Sequence, residues 1–261
     1  MPTHSVTVPA HGQVDVTVAD VGQGRPILLL HGGAGPRSVA SFAQLLSAQG
    51  NFRVLSPTHP GFDGTPRPDW LTTIGGLAEV YDKLLDQLQL SGVTVIGSSI
   101  GGGIAAELAI RGSPRVSGTV LADAVGISVE GHPVADAFSL TLDQLTDLSY
   151  HNPAKFRIDL SSFTDAQRQA MGANRAALAV YGAKTSLPDP TLLGRLHGVR
   201  VPVLVVWGES DRVADPEYGR AFAAAIPGGR FQLLSGTGHM PMLETPDQLL
   251  AAIRTFTDTY R

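Results

Sequence analysis

Short apolar runs alternate along this chain with longer amphipathic stretches. Residues 27–30 are Ile-Leu-Leu-Leu, an unbroken apolar run of the kind a strand needs when both of its faces are covered. The same character recurs at 52–57, 92–97, 116–123 and 201–208, and more weakly at 230–236. Apolar residues at helical spacing fill the intervals 38–48, 73–89, 100–111, 216–226 and 246–260. Before the first run, residues 4–20 alternate apolar and polar around His11-Gly12, the pattern of a β-hairpin. Strand–helix alternation predicts an α/β fold with a mostly parallel central sheet and helices on both faces. Ligands of such sheets bind beyond the carboxyl ends of the strands.

The alternation fails between 125 and 198, where no segment reads as a strand. That span offers two capping boxes, Thr141 with Gln144 and Thr164 with Gln167. Leu142, Leu145 and Leu148 follow the first, and His151-Asn152-Pro153 stops its helix. The expected organisation is a core of residues 1–124 and 199–261, with residues 125–198 inserted as a helical subdomain over one edge of the sheet.

Composition narrows the function. Only 16% of the 261 residues are charged, as expected where strands are buried on both faces, and the net charge of −4 with scattered basic residues argues against nucleic acid. The chain has no cysteine, which excludes disulfides and thiolate chemistry. The N-terminus lacks a signal pattern and no apolar run approaches the length of a membrane span, so the expected setting is the cytoplasm, without a membrane partner. No cofactor motif is present and no histidine pair has metal-ligand spacing, so neither a cofactor nor a metal is expected. The oligomeric state has no signature.

The chemistry begins at Gly97-Ser98-Ser99-Ile100-Gly101, a G-x-S-x-G sequence between a strand and a helix. A strand that turns straight into a helix strains its corner residue and needs small neighbours two positions away. Its side chain is then held clear of the sheet. A serine hydroxyl needs an adjacent base. Among eight histidines, His239 lies in a glycine-bearing loop after the last strand. His59, in a loop after an earlier strand, could also face the site. The imidazole needs an acid to fix its tautomer. Asp211, just past the run 201–208, fits best; Asp123, at the end of another strand, competes, and Glu209 and Asp215 rank lower. The order Ser99, Asp211, His239 is that of a single fold. An oxyanion would be held by the amide of Ile100 and by one from the glycine-rich loop after residue 30, with Gly33 preferred and Ala34 open. His31 is expected to brace that loop.

With these residues in view the chain resembles the α/β-hydrolase superfamily. His31-Gly32-Gly33, the serine elbow, "WGESDRV" (207–213) and "GTGHMPMLETP" (236–246) match in type, spacing and order, and "THPGFDGTPRP" (58–68) is similar to the family's Pro-Gly loop. The resemblance implies the α/β-hydrolase fold and makes residues 125–198 the helical cap that shapes the substrate pocket. It implies an esterase, a lactonase or a C–C bond hydrolase of ring-cleavage products. The C–C hydrolases commonly carry a tryptophan shortly after the base, where this chain has Met240-Pro241-Met242.

The expected function is a serine hydrolase acting on a small, apolar carboxylic ester through an acyl-enzyme. C–C cleavage or lactone opening with the same residues is the alternative, and a ligand-binding receptor with little turnover is a third. Phe138, Met171, Met240 and Met242 are the candidates for the pocket wall.

Overall fold

The computed structural model describes residues 1–49, 51–182 and 188–260. Eight strands form one sheet in the order β1-β2-β4-β3-β5-β6-β7-β8. They are β1 (Thr3–Val8), β2 (Gly12–Gly22), β3 (Arg25–Leu30), β4 (Phe52–Pro57), β5 (Val93–Ser98), β6 (Val116–Ala122), β7 (Val203–Gly208) and β8 (Arg230–Leu234). β2 runs antiparallel to β1 and β4, and every other pair is parallel. This is the α/β-hydrolase fold. The expected hairpin is β1–β2, its turn tightened by Ala10 at φ 69° and by His11 N–H donating to the Val8 carbonyl.

The helices are α1 (Arg37–Ala48), α2 (Ile74–Gln87), α3 (Ile100–Arg111), α4 (Leu142–Ser149), α5 (Asp165–Gly182), α6 (Leu192–Arg195), α7 (Pro216–Ala224), α8 (Pro241–Glu244) and α9 (Pro246–Thr259). Successive strand residues feed two separate cores, as the period of two requires. Leu28, Leu30, Val93, Val95, Val205 and Trp207 pack under α2, α3 and α7. Ile27, Leu29, Ile96, Val120, Leu204 and Val206 pack under α1 and α9. Burial of both faces is why the strands carry almost no charge.

Between 125 and 198 the described residues hold α4, α5, α6 and short 3-10 turns, and no strand. Both capping boxes form: Thr141 with Gln144, and Thr164 with Gln167. The span does not sit at one edge of the sheet. Tyr181 Oη donates to the Pro60 carbonyl and Asn174 bonds Ala34 and Asp63, after β3 and β4. On the other side, the Ser149 and Leu148 carbonyls accept from His239 and Arg212, after β8 and β7. The helices therefore bridge the carboxyl-end loops from one side of the sheet to the other. Among the described residues no helix is long and apolar enough to cross a membrane.

Candidate active site

β5 ends at Ser98 and α3 begins at Ile100, leaving Ser99 alone at the corner with φ 54° and ψ −121°. A non-glycine residue there is strained, and the surroundings hold it. Ser99 N–H donates to Ala122 O at 3.1 Å, and Ser99 O accepts from Gly102 at 2.9 Å and Val125 at 3.0 Å. The flanking glycines answer to contact. A Cβ on Gly97 would lie 2.0 Å from Gly101 O, and one on Gly101 would lie 2.4 Å from Leu30 O.

β7 delivers Asp211 and the loop after β8 delivers His239. Asp211 Oδ1 accepts from the N–H groups of Val213 (2.8 Å) and Ala214 (3.2 Å). Its Oδ2 lies 2.8 Å from His239 Nδ1, and His239 Nε2 lies 3.0 Å from Ser99 Oγ. An ionised carboxylate only accepts, so Nδ1 carries the proton and Nε2 offers its lone pair to the serine hydroxyl. His239 and Asp211 are buried, while Ser99 is half-exposed. Glu244 accepts from the N–H groups of Gly238, His151 and Asn152, tying the His239 loop to the segment after α4.

β3 is the direct neighbour of β5 at the point where strand order reverses, so the loop after β3 meets the elbow. A Cβ on Gly32 would come within 3.0 Å of Ser99 Cβ, a measure of how closely that backbone approaches. Gly33 and Ile100 share a cavity wall with Ser99. Ile100 opens α3, so its N–H has no partner within the helix. His31 braces the loop as expected: Nδ1 donates to Gly32 O (2.8 Å) and Nε2 accepts from His59 N–H (3.1 Å). His59 does not reach the site. It is fully buried, donates from Nε2 to His31 O and takes the Tyr81 hydroxyl at Nδ1 (2.5 Å). Burial pushes His31 down to about 4 and His59 well below the usual histidine range.

The cavity above Ser99 holds about 430 Å³, within the range of small-molecule sites. Its wall is largely residues 125–138, including Val125, Ile127, Val134 and Phe138, with Leu178 from α5 and Val213 after β7. Phe138 is thus on the wall, its ring under the Arg175 guanidinium at 5.6 Å. The other three candidates are not. Met242 is 2% exposed and packs in the core beneath α1 and α9, because α8 turns it away from Ser99. Met171 and Met240 are half-buried outside the cavity lining. The sequence pointed to methionines, whereas the wall is a strand-free, helix-free stretch whose apolar residues follow no period. His132 also lines the cavity, with Nδ1 2.7 Å from Asp215 Oδ2; Asp215 is otherwise the N-cap of α7. Glu209 is taken up by Ser235 and Gly236.

Asp123 lies behind Asp211, fully buried. Among the described residues, Asp123, Asp211 and His239 are the one group of potential metal ligands close enough to converge, their ligand atoms within 4.8 Å of one another. The N–H donors aimed at Asp211 Oδ1 fit a carboxylate held by hydrogen bonds.

Comparison with known proteins agrees with the fold. Residues 27–252 match the model of the "Alpha/beta hydrolase family". A 2-hydroxy-6-oxo-2,4-heptadienoate hydrolase of Pseudomonas putida is 26% identical over 94% of this chain and 93% of its own length. In structure, an esterase from Thermogutta terrifontis superposes with a TM-score of 0.77 at 21% identity, over 100% of this chain and 99% of the esterase. A meta-cleavage product hydrolase from Pseudomonas fluorescens gives 0.75 at 20% identity, over 99% and 98%.

Proposed function

The chain belongs to the α/β hydrolase family, and from that premise we propose that it is a serine hydrolase that cleaves small, uncharged carboxylic esters through an acyl-enzyme. One observation carries the reading: Ser99 Oγ stands 3.0 Å from His239 Nε2, whose other nitrogen meets Asp211 at 2.8 Å. As Ser99 Oγ attacks the ester carbonyl carbon, its proton passes to His239 Nε2. Asp211 stays ionised and stabilises the imidazolium. The Gly33 and Ile100 amides hold the developing oxyanion, each worth about 3 kcal/mol in the transition state. His239 then protonates the leaving alcohol, and water releases the acid by the same steps. The described helices between residues 125 and 198 act as a cap over the site, tied to its loops through Tyr181, Asn174, Leu148 and Ser149.

The pocket favours an ester over the dienoate reading suggested by relatives. A 2-hydroxy-6-oxo-dienoate carries a carboxylate, which calls for a cation to hold it. The described residues of the lining include Asp136 and His132 but no arginine or lysine; Lys184 falls outside the described residues. Arg175, over the Phe138 ring, donates its guanidinium to the Ala137 and Phe138 carbonyls. Side-by-side assay of 4-nitrophenyl butyrate, a γ-lactone and 2-hydroxy-6-oxo-2,4-heptadienoate tests this. The expected result is a kcat/KM for the ester at least about 100-fold above that for the dienoate. A dienoate faster than the ester would overturn the choice of bond.

A further inference from the structure

Asp123 is a fully buried carboxyl behind Asp211 for which the ester mechanism has no use. It directly follows β6, at φ 46°, a left-handed conformation uncommon for a non-glycine residue. Its N–H donates to Val206 O at 3.0 Å, and its Oδ1 accepts from Gly208 N–H at 2.8 Å. Both contacts tie it to β7, the strand that delivers Asp211. Its Oδ2 is fully buried and has no donor aimed at it.

An ionised carboxylate in that position is hard to account for. It would leave one oxygen dry and unpaired, and it would set a second negative charge against Asp211 in a site closed to water. A carboxylic acid removes both difficulties, because the bare oxygen then carries a proton to donate. Asp211 has room to receive it. Of about four lone-pair positions on a carboxylate, Val213, Ala214 and His239 occupy three. The ligand oxygens of Asp123 and Asp211 lie within 4.8 Å, so a small movement completes the bond.

We propose that Asp123 is a positioning residue: a neutral carboxylic acid whose O–H donates to the Asp211 carboxylate and fixes it behind His239. The titratable groups facing it are Asp211 and His239. Burial first, and the Asp211 charge second, push Asp123 well above the usual carboxylate range. His239 therefore faces a single negative charge, held from two sides. The kinetic consequence rests on the serine-hydrolase reading, while the protonation state does not.

Two arms test it on the full chain. Difference infrared spectra at pH 7 compare the protein with its Asp123→Asn variant. The expected result is a protonated-carboxyl carbonyl band present in the first and missing from the second. No such difference overturns the proposal, and this arm decides even if the protein hydrolyses no ester. The second arm follows ester hydrolysis against pH. Asp123→Leu removes the donor and should lower kcat by about 10–100-fold with KM within about twofold. Asp123→Asn keeps a donor toward Asp211 and an acceptor for Gly208, and should recover kcat to within about fivefold. The acid limb of the Asn profile should stay within about half a pH unit of the parent. Were Asp123 ionised, the same change would remove a charge behind His239 and move that limb down by about a unit or more. Such a shift, or full kcat in Asp123→Leu, overturns the proposal. Asp123→Asn is isosteric, so it keeps the test open if the leucine variant does not fold.

Discussion

At the scale of single residues, the site is a set of close approaches that only particular side chains permit. Ser99 occupies its strained corner because Gly97 and Gly101 leave room for the turn. An alanine at Gly97 would drive its methyl to 2.0 Å from a backbone oxygen that cannot move without α3. Gly97→Ala is therefore expected to cost about 3 kcal/mol, read as a lowered urea midpoint. Ser99→Ala is different in kind. It removes one oxygen and keeps the fold, so circular dichroism should be unchanged while turnover falls about a million-fold. A variant that kept near-parental turnover would remove Ser99 from the mechanism.

At the scale of elements, the loops after the strands are held by side chains from elsewhere. Tyr218 on α7 is the clearest case. Its hydroxyl accepts from the Gly126 and Ile127 N–H groups (3.0 and 2.9 Å) and donates to Ile127 O (2.7 Å). Burial pushes that phenol up to about 12, so it keeps its proton and the donation persists. It pins the start of the cavity wall. Tyr218→Phe strands two buried donors and should destabilise by about 2 kcal/mol, with KM for the ester rising more than kcat falls. Equal loss in both would assign Tyr218 to the fold alone. The element scale also explains what was legible beforehand. Ser99, Asp211 and His239 each lie in a short local signal just after a buried strand, and parallel strands align such loops at one end. The pocket wall had no such signal, because residues 125–138 adopt neither period and are placed by Tyr218, Val213 and the covering helices. Met242 misled because α8 is a single turn, too short for a sequence pattern to show which way it faces.

At the scale of the whole molecule, two neutral histidines sit at the heart of the sheet's carboxyl end. His31 keeps its neutral form down to about pH 4, whereas in an unfolded chain it takes up a proton near pH 6.5. Below 6.5 the unfolded state therefore binds more protons, and stability falls as pH drops through the window from 6.5 to 4. His31 alone should cost about 2 kcal/mol between pH 7 and pH 5, and His59, shifted the same way by burial and by His31, adds to it. Urea midpoints across that range should fall steadily. A flat profile would mean that both rings take up protons in the folded state as readily as in the unfolded one. The parallel strands and the two cores were legible from the apolar runs 27–30, 52–57, 92–97, 116–123 and 201–208, which are buried on both faces. The order of the strands was not, and the weaker run 230–236 is a largely exposed edge strand. The placement of the inserted helices was not legible either, because it depends on contacts such as Tyr181 to Pro60 that no local pattern encodes.

The proposed function rests on distant loops converging to make one hydroxyl reactive. Incubation of the folded protein with a fluorophosphonate, followed by intact-mass and peptide analysis, tests it most directly. The expected result is a single adduct on Ser99, absent from Ser99→Ala and slowed by at least about 1,000-fold in His239→Ala. A folded parent protein that takes up no label, or an adduct that persists in Ser99→Ala, would contradict the account.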